Sequence, residues 1–100
     1  MSDAARGLKA FQDQIERIYL ERDRARGWER TFVWFTEEVG ELARALHRDD
    51  EANLQEEFAD AAAWLVTLAS IRGIDLGEAA QKYARGCPAC GATPCCCPPK

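Results

Sequence analysis

Two short acidic segments repeat one pattern along the 100-residue chain. Glu37-Glu38-Val39-Gly40-Glu41-Leu42-Ala43 and Glu56-Glu57-Phe58-Ala59-Asp60-Ala61-Ala62 both run acid, acid, apolar, small, acid, apolar, Ala, nineteen residues apart. Carboxylates at i and i+3 lie on one side of a helix, so Glu38 pairs with Glu41 and Glu57 with Asp60. Four anions at a half-buried seam repel one another and are costly to desolvate. A hard divalent cation relieves both problems. Mg²⁺ takes octahedral oxygen ligands and leaves positions for waters and substrate phosphates, and Mn²⁺ accepts the same donors. A carboxylate di-iron bundle uses Glu-x-x-His pairs, whereas the only histidine, His47, lies past the first acidic segment. The plainer alternative is a solvated helical face whose acids pair with Arg44 and Arg48.

A second constellation closes the chain. All five cysteines fall in the last 14 residues, and Cys87, Cys90, Cys95 and Cys97 read C-x2-C-x4-C-x-C. Four thiolates suffice for a tetrahedral Zn²⁺, although the second spacing is tighter than in ordinary zinc ribbons and Cys96 competes as a ligand. A reduced, flexible tail and a disulfide-bearing tail remain the alternatives. Residues 86–100 also hold four prolines and two glycines, which excludes a helix there. The chain therefore divides into a body, residues 1–86, and a Cys/Pro-rich tail, residues 87–100.

The elements that must position these groups are helices. Leu8, Phe11, Ile15, Ile18 and Tyr19 recur at helical spacing up to about Arg26, and Gly27 is a stop signal. Phe32, Phe35, Val39, Leu42, Ala43 and Leu46 predict a second helix ending near His47. Asp49 or Asp50 caps a third, with Leu54, Phe58, Ala61, Leu65 and Leu68 as its apolar series, ended by Gly73. Asp75 followed by Glu78 predicts a capped fourth helix reaching roughly Ala84. No run alternates with period two, so the expected class is an all-α bundle of four helices.

At about 100° per residue, Glu38 and Glu41 sit at the edge of the Phe35/Leu42/Leu46 stripe, and Glu57 and Asp60 at the edge of the Leu54/Phe58/Leu65 stripe. The short link from His47 to Asp50 makes the two helices antiparallel neighbours, which brings the four carboxylates towards one point. Trp34 stands four residues before Glu38 and Trp64 four after Asp60. Antiparallel packing puts both at the same end of the acidic site, where a nucleobase can stack on them. The alternative is that both are ordinary core or dimer-interface residues. Trp28, in the expected first loop, is a further pocket or lid candidate.

Glu37-Glu38-x-x-Glu41, fifteen residues, then Glu57-x-x-Asp60, resembles the EExxE…ExxD motif of the MazG-like all-α nucleoside triphosphate pyrophosphohydrolases. The surrounding TEEVGELARAL and EEFADAAAWLVTLASIRGIDLGEA are similar beyond the acids. The likeness spans roughly residues 8–85. It implies Mg²⁺-dependent hydrolysis of a nucleoside triphosphate, often a noncanonical one, to monophosphate and pyrophosphate, in a homodimer or a dimer of dimers. It also implies Glu38, Glu41, Glu57 and Asp60 as metal ligands. Glu37, about 100° round from Glu38, is a candidate for orienting the attacking water. Lys82 matches a position where the family places a phosphate-binding lysine, but the chain continues Tyr83-Ala84-Arg85-Gly86 where many relatives carry an Asp and an Asn.

The net charge of −4 conceals two parts. Residues 37–60 hold nine acids and two bases, a net of −7, while the remainder is +3. Bulk acidity speaks against polymeric nucleic acid as a partner, yet a −7 segment loaded with divalent metal attracts free phosphates. The opening MSDAARGLKAFQ lacks an apolar export core, and Ala61–Ile71 is too short to cross a bilayer, so the expected setting is the cytoplasm, with no membrane partner. The competing function is a non-catalytic helical oligomer whose Cys-rich tail contacts a partner protein.

Overall fold

The computed structural model describes all 100 residues and contains helices and turns only. Helix α1 spans Asp3–Arg26, α2 Trp28–Arg48, α3 Glu51–Ile71 and α4 Leu76–Ala80, the last tightening into a 3-10 turn at Gln81–Tyr83. Ser2 starts α1 earlier than the apolar periodicity indicates, because its hydroxyl accepts the Ala5 N–H at 3.1 Å. Gly27, with φ of 85°, ends α1 and also begins α2, since Thr31 N–H and Thr31 Oγ1 both donate to its carbonyl. Trp28 is consequently the first residue of α2, not part of a loop, and it lies under the Arg72 guanidinium at 5.6 Å. Asp49, with φ of 54°, ends α2, and the Asp50 carboxylate caps α3 by accepting from Asn53 N–H. Asp75 caps α4 in the same way through Glu78 N–H at 3.0 Å.

Helices α2 and α3 form an antiparallel hairpin, and α1 lies against α3 and α4. Gln12, 4% exposed, joins three segments: its amide Nε2 donates to Ser70 Oγ and the Ile74 carbonyl, and its Oε1 accepts from Leu76 N–H. This one side chain fixes α1 against the end of α3 and the start of α4.

The packed faces differ from those that hydrophobicity indicates. On α2 the buried residues are Thr31 and Ala45, in phase with Glu38, and on α3 they are Glu57, Val66 and Thr67. Small and polar side chains thus enter the α2–α3 seam, with Glu57 buried there, Glu38 half-buried and Glu41 and Asp60 exposed. The large apolar stripe points outward: Phe32, Val39, Leu46, Phe58 and Leu65 are all at least 44% exposed. On α1 the buried residues are Ala5, Gln12, Ile15 and Asp23, while Ile18 is 53% exposed. Apolar periodicity marks a face that something must cover, and it does not distinguish this chain from another as the cover.

Candidate metal centre and nucleotide cleft

Glu38 and Glu41, one turn apart on α2, meet Glu57 of α3, and one carboxylate oxygen from each lies within 4.8 Å of the others. Glu57 is buried, Glu38 half-buried and Glu41 exposed, so the group opens to solvent on the Glu41 side. The buried Oε2 atoms of Glu38 and Glu57 have no hydrogen-bond partner. None of the chain's four ion pairs includes Glu38, Glu41, Glu57 or Asp60. Arg44 and Arg48, the cations expected to neutralise these acids on a solvated face, pair with none of them either.

The electrostatic consequence falls on Glu38. Burial, then Glu57, Asp60 and Glu41 in that order, lift its pKa from 4.5 to about 7. A buried acceptor without a donor is costly in any chain, and a proton shared between Glu38 and Glu57, or a bound cation, relieves that cost. The donor set is all oxygen, which suits Mg²⁺ or Mn²⁺ and does not suit a soft metal.

Asp60 stands outside the group of three. It is near enough to raise the Glu38 pKa, and it borders a cleft of about 330 Å³ between α1 and α3. That cleft also presents Tyr19, Arg22, Arg26 and Trp64. Trp34 and Trp64 stack with centroids 6.5 Å apart and planes 18° apart, so the two tryptophans do meet at one end of the acidic site. Arg26 is held over Trp64 at 5.1 Å, with Nη1 donating to Asp23 Oδ1 at 3.0 Å and to Thr31 Oγ1 at 3.2 Å. Arg22 and Arg26 are the cationic residues that sequence reasoning missed. Tyr19, Arg22 and Arg26 recur at i, i+3 and i+7 on one helix face, a signal hidden by the apolar stripe that Tyr19 shares with Ile15 and Ile18.

Other expected site residues lie elsewhere. Glu37, the candidate for orienting water, is exposed and belongs to no carboxylate group. Lys82 sits at the far end of α1, because the neighbouring Gln81 accepts the Ser2 backbone N–H, and its ammonium rests on Tyr83 at 5.2 Å. The helix between Ser2 and Arg22 is about 30 Å long, so the Lys82 of one chain lies outside the site that this chain builds. In the tail, the sulfurs of Cys87, Cys90, Cys95 and Cys97 also gather within 4.8 Å, all unbridged. Hydrogen bonds from the backbone of Cys96 and then of Ala92 bring the Cys90 thiol down to about 5.

A family model for the MazG nucleotide pyrophosphohydrolase domain matches residues 26–90, which include every carboxylate of the acidic site and both stacked tryptophans. The chain belongs to the MazG nucleotide pyrophosphohydrolase family. No curated protein and no solved structure matches it. The MazG match begins at Arg26 and so leaves out most of α1, including Tyr19 and Arg22 of the cleft. It ends at Cys90, in the middle of the cysteine cluster. No helix is long and apolar enough to cross a membrane.

Proposed function

We propose that this MazG domain hydrolyses a nucleoside triphosphate to the monophosphate and pyrophosphate in a Mg²⁺-dependent reaction. The observation that carries the reading is the pair of buried, unpartnered carboxylate oxygens of Glu38 and Glu57, inside the family-matched segment. Glu38, Glu41 and Glu57 hold the metal, with Asp60 reaching it directly or through water. When bound, Mg²⁺ supplies charge neutralisation for the triphosphate oxygens and lowers the pKa of the water aimed at the α-phosphorus. Arg22 and Arg26 meet phosphate oxygens from the cleft side, and Asp23 with Thr31 fixes the Arg26 guanidinium beforehand. A base stacks on Trp34, a residue 44% exposed, at the end of the site where Trp34 meets Trp64.

The same reading includes a second copy of the chain. A compact monomer of 11.2 kDa exposes about 5,700 Å², and this chain exposes 7389 Å². The surplus is in the range that obligate partners bury, and the outward stripe of α2 and α3 supplies the apolar area for it. A homodimer, or a pair of dimers, closes the core that one chain leaves open.

The test is pyrophosphate release from a panel of NTPs and dNTPs with Mg²⁺, on protein whose oligomeric state is read by light scattering. Glu41→Gln serves as the control, because Glu41 is exposed and its replacement leaves the packing intact. We expect release from at least one nucleotide and a loss of about a hundredfold or more in the variant. No release from any nucleotide, or release indifferent to the substitution, overturns the enzyme reading in favour of a non-catalytic oligomer.

A further inference from the structure

The tail gathers a second group of metal-ligating side chains, of different chemistry from the carboxylates. Residues 86–100 include no buried residue, so no apolar core holds their path. Their fold rests on a few backbone hydrogen bonds, chiefly Gly91 N–H to the Cys87 carbonyl at 2.7 Å and Cys87 N–H to the Ala92 carbonyl at 3.0 Å. Gly86, with φ of 118°, lets the tail fold back on itself, since a Cβ there would meet Thr93 Oγ1 at 2.6 Å. Four sulfurs nevertheless converge.

Their spacing is diagnostic. A tetrahedron with Zn–S bonds of about 2.3 Å places its sulfurs about 3.8 Å apart. Cys87 and Cys97 Sγ are 3.8 Å apart, and Cys90 and Cys95 Sγ are 4.0 Å apart. Cys90 Sγ accepts the Cys96 N–H and Cys95 Sγ accepts the Cys97 N–H, both at 3.3 Å, which is how backbone amides share the charge of ligating thiolates. The four sulfurs are close enough for one ion and too close for a cubane iron–sulfur cluster, where each sulfur binds its own iron. Cys96 lies outside the set and contributes its N–H. No Asp or Glu follows Glu78, whereas Lys82, Arg85 and Lys100 are cationic, a setting that suits an anionic centre.

We propose that Cys87, Cys90, Cys95 and Cys97 bind one structural Zn²⁺, and that this ion folds the tail. Binding converts four thiols to thiolates, releases their protons to solvent, and leaves a centre of net charge −2. The zinc takes no part in nucleotide chemistry, and the site stands or falls independently of the hydrolase reading.

The experiment is elemental analysis of the full chain purified under reducing conditions without chelator, together with Cys90→Ser and Cys96→Ser. We expect about one zinc per chain in the wild type and in Cys96→Ser, and a loss of at least half of it in Cys90→Ser. Cobalt exchanged into the wild type should give the intense visible absorption of a tetrahedral tetrathiolate. Zinc below about half an equivalent in the wild type overturns the proposal. So does iron in its place, equal zinc loss in the two variants, or a disulfide between any two of the four cysteines in the freshly purified chain.

Discussion

Replacing Glu38 by Gln should stabilise the metal-free protein while removing its response to Mg²⁺. In the folded chain the Glu38 carboxyl has its pKa lifted from 4.5 to about 7, first by burial and then by its acidic neighbours. A carboxyl that binds its proton more tightly when folded favours folding below about pH 4.5, and that contribution is lost as pH rises through 7. At pH 8 the full displacement sets a ceiling of about 3.4 kcal/mol. Glu38 is only half-buried, and solvent screening reduces this to about 1–2 kcal/mol. Gln has nearly the same shape and no charge, so the variant escapes the loss. In a chain of this size the gain is an increase of about 5–10 °C in Tm. Thermal unfolding followed by circular dichroism at fixed protein concentration measures it, in buffer freed of Mg²⁺ by dialysis and without chelator. The difference should be small at pH 5 and largest at pH 8. Saturating Mg²⁺ should reverse the order, because a metal at 100 times its Kd adds about 2.7 kcal/mol to the wild type and far less to a variant lacking a ligand. A variant no more stable than the wild type at pH 8 without Mg²⁺, or two proteins equally stabilised by Mg²⁺, would refute the reasoning.

Two further outcomes follow from single side chains. Trp34→Ala should raise KM about 5- to 100-fold, the worth of one base–aromatic stack, with a smaller change in kcat; an unchanged KM with a lowered Tm would make Trp34 only a packing partner of Trp64. Gln12→Ala leaves the Ile74 carbonyl and the Leu76 N–H without their partner and should cost about 2–4 kcal/mol in urea unfolding, and a change below about 1 kcal/mol would mean that water replaces the amide.

The acid spacing, the caps and the cysteine spacing belong to the sequence. Glu38, Glu41 and Glu57 come together because i and i+3 share a side of any helix and a two-residue link makes neighbouring helices antiparallel. Those are local rules, and Asp50 and Asp75 capped where local rules place them. The tryptophan pair follows from the same register. The spacing of the four cysteines that gather in the tail was equally visible in the chain. The spacing also singled out Cys87, Cys90, Cys95 and Cys97, and the folded turn gathers those four and sets aside Cys96, the competitor among three adjacent cysteines.

Tertiary structure alone decided which face is inside. Apolar periodicity marked Phe32, Val39, Leu46, Phe58 and Leu65 as core, and they lie outward, whereas Thr31, Ala45 and Glu57 are buried. Burial energy depends on area removed from water and not on whose atoms cover it, so apolar periodicity alone does not say which face this chain buries against itself. The placement of Arg22 and Arg26 beside Asp60, and of Lys82 at the opposite end of α1, likewise depends on how α1 crosses α3 and α4. The sequence by itself determined a pair of helices whose acids converge, and packing decided what surrounds them, because contacts between distant segments have no signature in local spacing.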